Sequence, residues 1–212
     1  MLIAITSRSR YCHVSDDARE SSVNIIDTLV AEHQLVEQVL NCLEMMTEQA
    51  AQQKSLDAGL VSDAVTLLRT FVHGWHFPRE EAYVRAAMGP ENLSQAQDLQ
   101  FHDHERCCEC LRRMEEAATA SAAGDPRAAR RFVEAAQVYE CTLMKHVEDE
   151  EDRIFPAIKR TLTAEKELEA VRALRHAESQ VADNSEYDLC IAAAGRLADR
   201  FNVTIGRWRR FP

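Results

Sequence analysis

The sequence predicts an all-α protein: a four-helix bundle followed by two further helices. Only 6 Gly and 5 Pro stand in 212 residues, and Ala, Leu, Glu and Arg dominate, which favours long helices joined by few turns. Apolar residues recur at spacings of three, four and seven along four long stretches, the period of a helix with one buried face. The third observation is a repeat. His33 is followed 43 residues later by His76, and His104 is followed 42 residues later by His146. The second histidine of each pair starts a His-x3-Glu motif, His76 to Glu80 and His146 to Glu150. One unit is therefore used twice, with two helices per unit.

The elements follow in order. Residues 1–21 are polar and aperiodic, and are expected to form a loose leader. Ser21 or Ser22 caps the first helix, which runs to about Gln53, with Ile26, Leu29, Val30, Val36, Leu40 and Leu43 as its stripe and His33 within it. A second helix is expected from about Leu56 to Met88, where Val65, Leu68 and Val72 lead down one face to His76 and Glu80; Gly89-Pro90 ends it. The third, from Asn92 or Ser94 to about Ala120, carries Leu93, Phe101, His104, Leu111 and Met114. Ser121–Pro126 is a loop. The fourth runs from about Arg127 to Leu162, with Phe132, Tyr139 and Leu143 preceding His146, Glu150 and Ile154. Thr163 starts a fifth helix, with Glu167 near the position of a capping box, and after Asn184-Ser185 a sixth runs to about Asn202. These last two helices are expected to pack on the bundle or on a partner, a homodimer through them included. The basic, aromatic tail Arg207–Phe211 reads as solvated.

Composition excludes several functions. A net charge of -10 lacks the clustered positive surface that nucleic acid requires. No run of 18 apolar residues exists to span a membrane, and the first ten residues are too short and wrongly ordered for a secretory signal. Seven cysteines, at 12, 42, 107, 108, 110, 141 and 190, are an odd number in a chain large enough to fold without disulfides. Reduced thiols in the cytoplasm are the expectation. Cys107, Cys108 and Cys110 have no second Cys-x2-Cys partner for structural zinc and are read as small packing residues. Cys107 and Cys108 do lie three and four residues after His104, where a redox metal could oxidise them.

The chemistry sits on the repeat. Residues four apart lie on one helical face, so the His-x3-Glu imidazole and carboxylate reach a common point. A lone core histidine is usually a hydrogen-bonded packing residue, and a Glu-Glu pair is usually solvated surface. Four stripe histidines and two glutamates at matched intervals change that balance, because burying them without a cation costs several kcal/mol per unpaired charge. Imidazole with carboxylate suits first-row transition metals better than copper(I), magnesium or calcium. No nucleophile, nucleotide loop or proton-shuttle constellation for hydrolysis is present.

Taken together these motifs resemble the hemerythrin-like domains with the His-His-Glu signature. The resemblance spans about residues 22–162 and rests on Leu29–His33, His76 with Glu80-Glu81, Phe101–Arg106, and His146-x3-Glu150-Glu151 ending in Ile154–Pro156. It implies an up-down-up-down bundle around two iron ions joined by an oxo or hydroxo bridge. It further implies that His33, His76, His104 and His146 are terminal ligands and that Glu80 and Glu150 bridge. Glu81 and Glu151 fall about 100° off the ligand face, as outer or surface groups. Residues 163–212 form a helical extension to that domain.

The chain departs from the oxygen carriers of that family, which have a fifth histidine one turn away in the third helix; Cys107 and Cys108 stand beside His104 here. His73, one turn before His76, either supplies the fifth or is a polar residue at the bundle edge. His102 faces away, His13 lies in the leader and His176 lies outside the bundle. A four-histidine, two-glutamate set is more similar to bacterial iron-centre repair, stress and sensing members. The repair proteins carry an N-terminal cysteine module, of which only Cys12 is available. Pro78 removes one N–H and is expected to bend the second helix. The expected function is a di-iron protein that binds or reacts with dioxygen, nitric oxide or peroxide, or handles iron. A redox enzyme or repair factor, and a metal-free helical adaptor, are the alternatives.

Overall fold

The structure, a computed structural model, describes residues 25–88, 93–180 and 184–203, the side chains of 93–100 and 184–188 excepted. Among the described residues every regular element is helical. The expected leader, the Gly89-Pro90 stop and the basic tail lie outside them. α1 is Ile25–Gln53. The second rod is one continuous helical run of α2 (Ala58–Leu67), a π-helical stretch π1 (Leu68–His76) and α3 (Phe77–Met88). α4 is Leu93–Ala122. The fourth rod comprises α5 (Ala128–Asp149), a second π-helical stretch π2 (Glu150–Ile154) and α6 (Phe155–Thr161). α7 (Ala164–Gln180) and α8 (Asn184–Phe201) are the last described elements. The protein is thus an all-α helical bundle with two additional C-terminal helices.

Local chemistry sets the ends. Asp57 caps α2, its side chain accepting from the N–H of Gly59 at 2.9 Å and of Leu60 at 3.1 Å. The α4–α5 connection turns at Gly124, whose φ of +83° is left-handed and suits a residue without a Cβ. Asp125 then accepts the N–H of Arg127 at 2.8 Å at the start of α5. Thr163 caps α7 by accepting from Lys166 N–H at 3.3 Å. The helix starts one position off the capping-box register, so Glu167 is not the capping partner; its N–H instead enters the helical ladder by donating to the carbonyl of Thr163.

The apolar stripes form two clusters. The larger contains Val36, Leu40, Leu43, Leu68, Phe71, Met114, Phe132, Tyr139 and Leu143, all buried. The smaller contains Ile26, Leu29, Tyr83, Val84, Phe155 and Ile158. Along α1, His33 stands between Leu29 of the smaller cluster and Val36 of the larger. Along the fourth rod, His146 and Glu150 stand between Leu143 and Phe155. A polar layer is therefore sealed by hydrocarbon at both ends. α7 adds Ala170 and Leu174 to the smaller cluster, and α8 adds Cys190 and Leu197 to the larger. Both C-terminal helices pack their apolar faces on the bundle. No helix among the described residues is long and apolar enough to cross a membrane.

Leu43 is fully buried in the larger cluster, so truncating it removes transfer free energy and leaves a cavity. Leu43→Ala is expected to cost about 2–5 kcal/mol, read as a lower urea midpoint with an unchanged denaturant slope. A loss below about 0.5 kcal/mol would mean the cluster is not close-packed.

Candidate metal centre

All six residues of the repeat meet in the polar layer. His33 comes from α1, His76 from the end of π1, Glu80 from α3, His104 from α4, His146 from α5 and Glu150 from π2. Each is buried, His104 the most exposed at 4%. Nε2 of His76 lies 3.1 Å from a carboxylate oxygen of Glu80, and Nε2 of His146 lies 3.5 Å from one of Glu150, as spacing by four residues requires. Two donor clusters result. One is His33, His76 and Glu80 and the other Glu80, His104 and His146, the donor atoms within each lying within 4.8 Å of one another. Glu80 belongs to both. Glu150 Oε2 lies 3.2 Å from His33 Nε2 and 3.5 Å from His146 Nε2, so it touches one histidine of each cluster.

Three of the four outer ring nitrogens are hydrogen-bonded to carboxylates. Nδ1 of His76 meets Glu32 at 2.9 Å, Nδ1 of His33 meets Glu151 at 2.8 Å, and Nδ1 of His104 meets Glu81 at 2.6 Å. Asp103 lies 3.9 Å from Nδ1 of His146. A carboxylate at Nδ1 holds the proton there and leaves Nε2 as a lone-pair donor turned inward, the arrangement that orients a metal-binding imidazole. Glu81 and Glu151, read from the sequence as outer or surface groups, are such carboxylates. Glu32 and Asp103 are absent from the sequence reading. Each immediately precedes a histidine of the repeat, but the ring it faces is on another helix.

The two π-helical stretches flank this layer. The N–H of Phe77 bonds the carbonyl of Val72, and that of Phe155 bonds the carbonyl of Glu150, each five residues back. Both phenylalanines precede a proline, Pro78 and Pro156, whose ring has no N–H and collides with the carbonyl four residues back in regular α geometry. A wide turn just before each proline relieves that conflict within a continuous helical run. The π stretch stands where a bend at Pro78 was expected. The same phenylalanines wall the layer: Phe77 stacks on His104 with centroids 3.7 Å apart, and Phe155 on His33 at 5.7 Å.

Electrostatics separates the rings. Burial lowers the pKa of His33 to about 3, helped by His76 and His146 nearby, so the ring is neutral. Burial opposes charge on His76 too, but Glu32 and Glu80 on either side outweigh it and raise that ring to about 9. Glu80 is held well below the ordinary carboxylate range, its burial offset by the imidazoles of His146, His76 and His104. Nε2 of both His33 and His76 makes no hydrogen bond, although a carboxylate oxygen lies 3.2 and 3.1 Å away. Buried nitrogen and oxygen donors packed this closely are what a cation between them, displacing the His76 proton, would satisfy. The donor set of imidazoles and carboxylates fits such a cation.

The family model for the hemerythrin HHE cation-binding domain matches residues 24–158. The chain belongs to that family. No curated protein and no solved structure matches it. The hemerythrin domain binds metal cations, and the His/Glu clusters of this chain fit that function. The match covers the five clustered residues and Glu150, and ends before α7.

His73 points elsewhere. Its Nε2 meets the Tyr139 hydroxyl at 2.9 Å and its Nδ1 the Cys108 thiol at 3.2 Å, which engages both ring nitrogens outside the two donor clusters. Cys107 and Cys110 are buried packing residues whose thiols burial pushes up, away from thiolate. His102 and His176 are exposed, and His13 lies outside the described residues. An open cleft of about 640 Å³ reaches the layer at His104, lined there by Phe77, Glu81, Phe101, Cys108 and His73.

The neutral rings give a pH signature. Burial lowers His73 to about 4, like His33 at about 3, against 6.5 ordinarily, so unfolding takes up protons. Their contribution to stability is present above pH 6.5 and is lost as pH falls toward the folded values, whereas that of His76 changes only between 6.5 and about 9. The melting temperature of chelator-treated protein should fall from pH 6.5 to 5, each ring contributing a slope of up to about 1.4 kcal/mol per pH unit. His73→Gln should remove its share of that slope. A flat profile in both proteins would show that the rings titrate freely.

Proposed function

We propose that this hemerythrin-domain protein holds two iron ions, one against His33 and His76 and one against His104 and His146, with Glu80 and Glu150 shared between them. Dioxygen, nitric oxide or peroxide is the small molecule that the centre takes. The observation that carries this reading is the sharing itself: Glu80 lies in both donor clusters and Glu150 touches one histidine of each. A single-ion site would need neither carboxylate to face both ways. Iron is favoured because the donors are nitrogen and oxygen and the nearby thiols are protonated.

Bound iron would supply reversible one-electron chemistry and exchangeable positions for a small molecule. The residues of the chain do the rest. Glu32, Glu81 and Glu151 hold the outer nitrogens of His76, His104 and His33 and aim the inner ones, and Asp103 lies near the outer nitrogen of His146. Phe77 and Phe155 exclude water from two of the rings, and the cleft beside His104 admits a molecule of a few atoms. The six described cysteines are free thiols, which supports a reducing compartment such as the cytoplasm.

Elemental mass spectrometry of protein from iron-replete cells should find close to two metal ions per chain, mainly iron. Its near-ultraviolet charge-transfer absorption should change on adding azide or nitric oxide. A fully helical apo protein that takes up no ferrous iron would overturn the reading. Glu150→Ala should fall to one ion or none and melt lower, since binding to the folded state adds to stability. Glu151→Ala removes only the partner of His33 Nδ1, so it should keep both ions with about 10- to 100-fold weaker affinity. The reverse ranking of these two variants would show that the register of the fourth rod is misassigned.

A further inference from the structure

α7 lies outside the matched family domain, yet one of its side chains reaches the polar layer through a chain of contacts. Glu178 Oε1 accepts from Nε of Arg79 at 3.0 Å. Arg79 is 2% exposed, and its guanidinium lies 4.6 Å over the ring of Trp75. Its Nη1 donates to Glu32 Oε1, the same oxygen that accepts from Trp75 Nε1 at 3.1 Å. The other oxygen of Glu32 bonds Nδ1 of His76 at 2.9 Å. Glu178, Arg79, Glu32 and His76 therefore form one connected path from the C-terminal extension to a ring of the donor set.

The other outer carboxylates are open by comparison. The side chain of Glu32 is 9% exposed, while those of Glu81, Asp103 and Glu151 are 29%, 26% and 38% exposed. A buried carboxylate needs a charged partner, and Arg79 supplies it. A planar guanidinium has two usable edges, so a second anion on Nε fixes which way Nη1 points. Glu178 is that anion.

Resting on the two-ion reading, we propose that Glu178 is a positioning residue for the His33–His76 half of the metal centre. It acts through Arg79 and Glu32, so that docking of α7 sets the affinity of that half. The half containing His104 and His146 has its own outer carboxylates and is independent of α7.

The test is an anaerobic titration of the full-length apo protein with cobalt(II), read by its visible ligand-field bands and by competition with a chromophoric chelator. Wild type should take up two ions. Glu178→Ala, an exposed-edge substitution with good helix propensity, should weaken one ion about 10- to 100-fold and leave the other unchanged. Arg79→Lys, which keeps the charge but not the two-edged geometry, should give the same one-sided loss. Two ions at wild-type affinity in Glu178→Ala would overturn the proposal and leave the two-ion reading standing. Equal weakening of both ions would overturn it as well, since that reports a general loosening of the fold. No cobalt uptake by wild type would overturn both readings together.

Discussion

Burying four imidazoles and two carboxylates in one dry layer is the constraint on which this structure depends. A buried polar atom without a partner is costly, so each ring needs a partner for its outer nitrogen as well as for its inner one. Carboxylates face the outer nitrogens in a reciprocal pattern, three by hydrogen bonds and Asp103 at 3.9 Å. In each repeat the acid just before the first histidine serves the second: Glu32 serves His76 and Asp103 serves His146. The acid just after the shared glutamate serves the first histidine of the other repeat: Glu81 serves His104 and Glu151 serves His33. One step along a helix turns a side chain by about 100°. A residue adjacent to an inward ligand therefore faces the neighbouring rod, where the ring needing it stands.

The same crossing governs the aromatic walls, with Phe77 of the first repeat on His104 of the second and Phe155 of the second on His33 of the first. Phe77 precedes its shared glutamate and Phe155 follows its own, so sequence alignment of the repeats does not superpose them. Both reach equivalent places because each Phe-Pro pair closes a π-helical stretch. The extra residue in the wide turn resets the azimuth of everything after it. Regular α geometry through Pro78 and Pro156 would satisfy the inward glutamates but not the prolines.

The inward set was legible in the sequence because helical periodicity alone decides it: His33, Leu29 and Val36 share a stripe, and His76 with Glu80 share a face. Glu81 and Glu151 were legible as being off that face, but whether an off-face acid meets water or a neighbouring ring depends on which rods are adjacent. Glu32 and Asp103 were missed for that reason, since their partners lie 44 and 43 residues away on other helices. Neither π stretch was legible, because an insertion of one residue leaves the apolar spacing within the scatter of a helical stripe. Arg79 has no spacing that sets it apart from the other charged residues. Its burial follows from Trp75 and from Glu178 on a helix whose docking no local pattern specifies.

A sequence that repeats its histidines and glutamates builds two halves of equal donor content, but their surroundings differ. His76 is backed by Glu32, Arg79, Trp75 and α7, each adding a contact that keeps solvent out. His104 is backed by a carboxylate at the edge of an open cleft, with Phe77 stacked on one face of the ring. On the proposed reading, a small molecule arriving from solvent meets the His104 side first, while the His76 side is held by charge pairs that would have to break before water entered. Removing an ion pair from the His76 half leaves a buried guanidinium unpaired, a cost of several kcal/mol; opening the cleft further exposes only groups already partly wet. The asymmetry is therefore set by Arg79, which stands between His76 and Glu80 where the second repeat has Asp149, and by α7, whose Glu178 holds it.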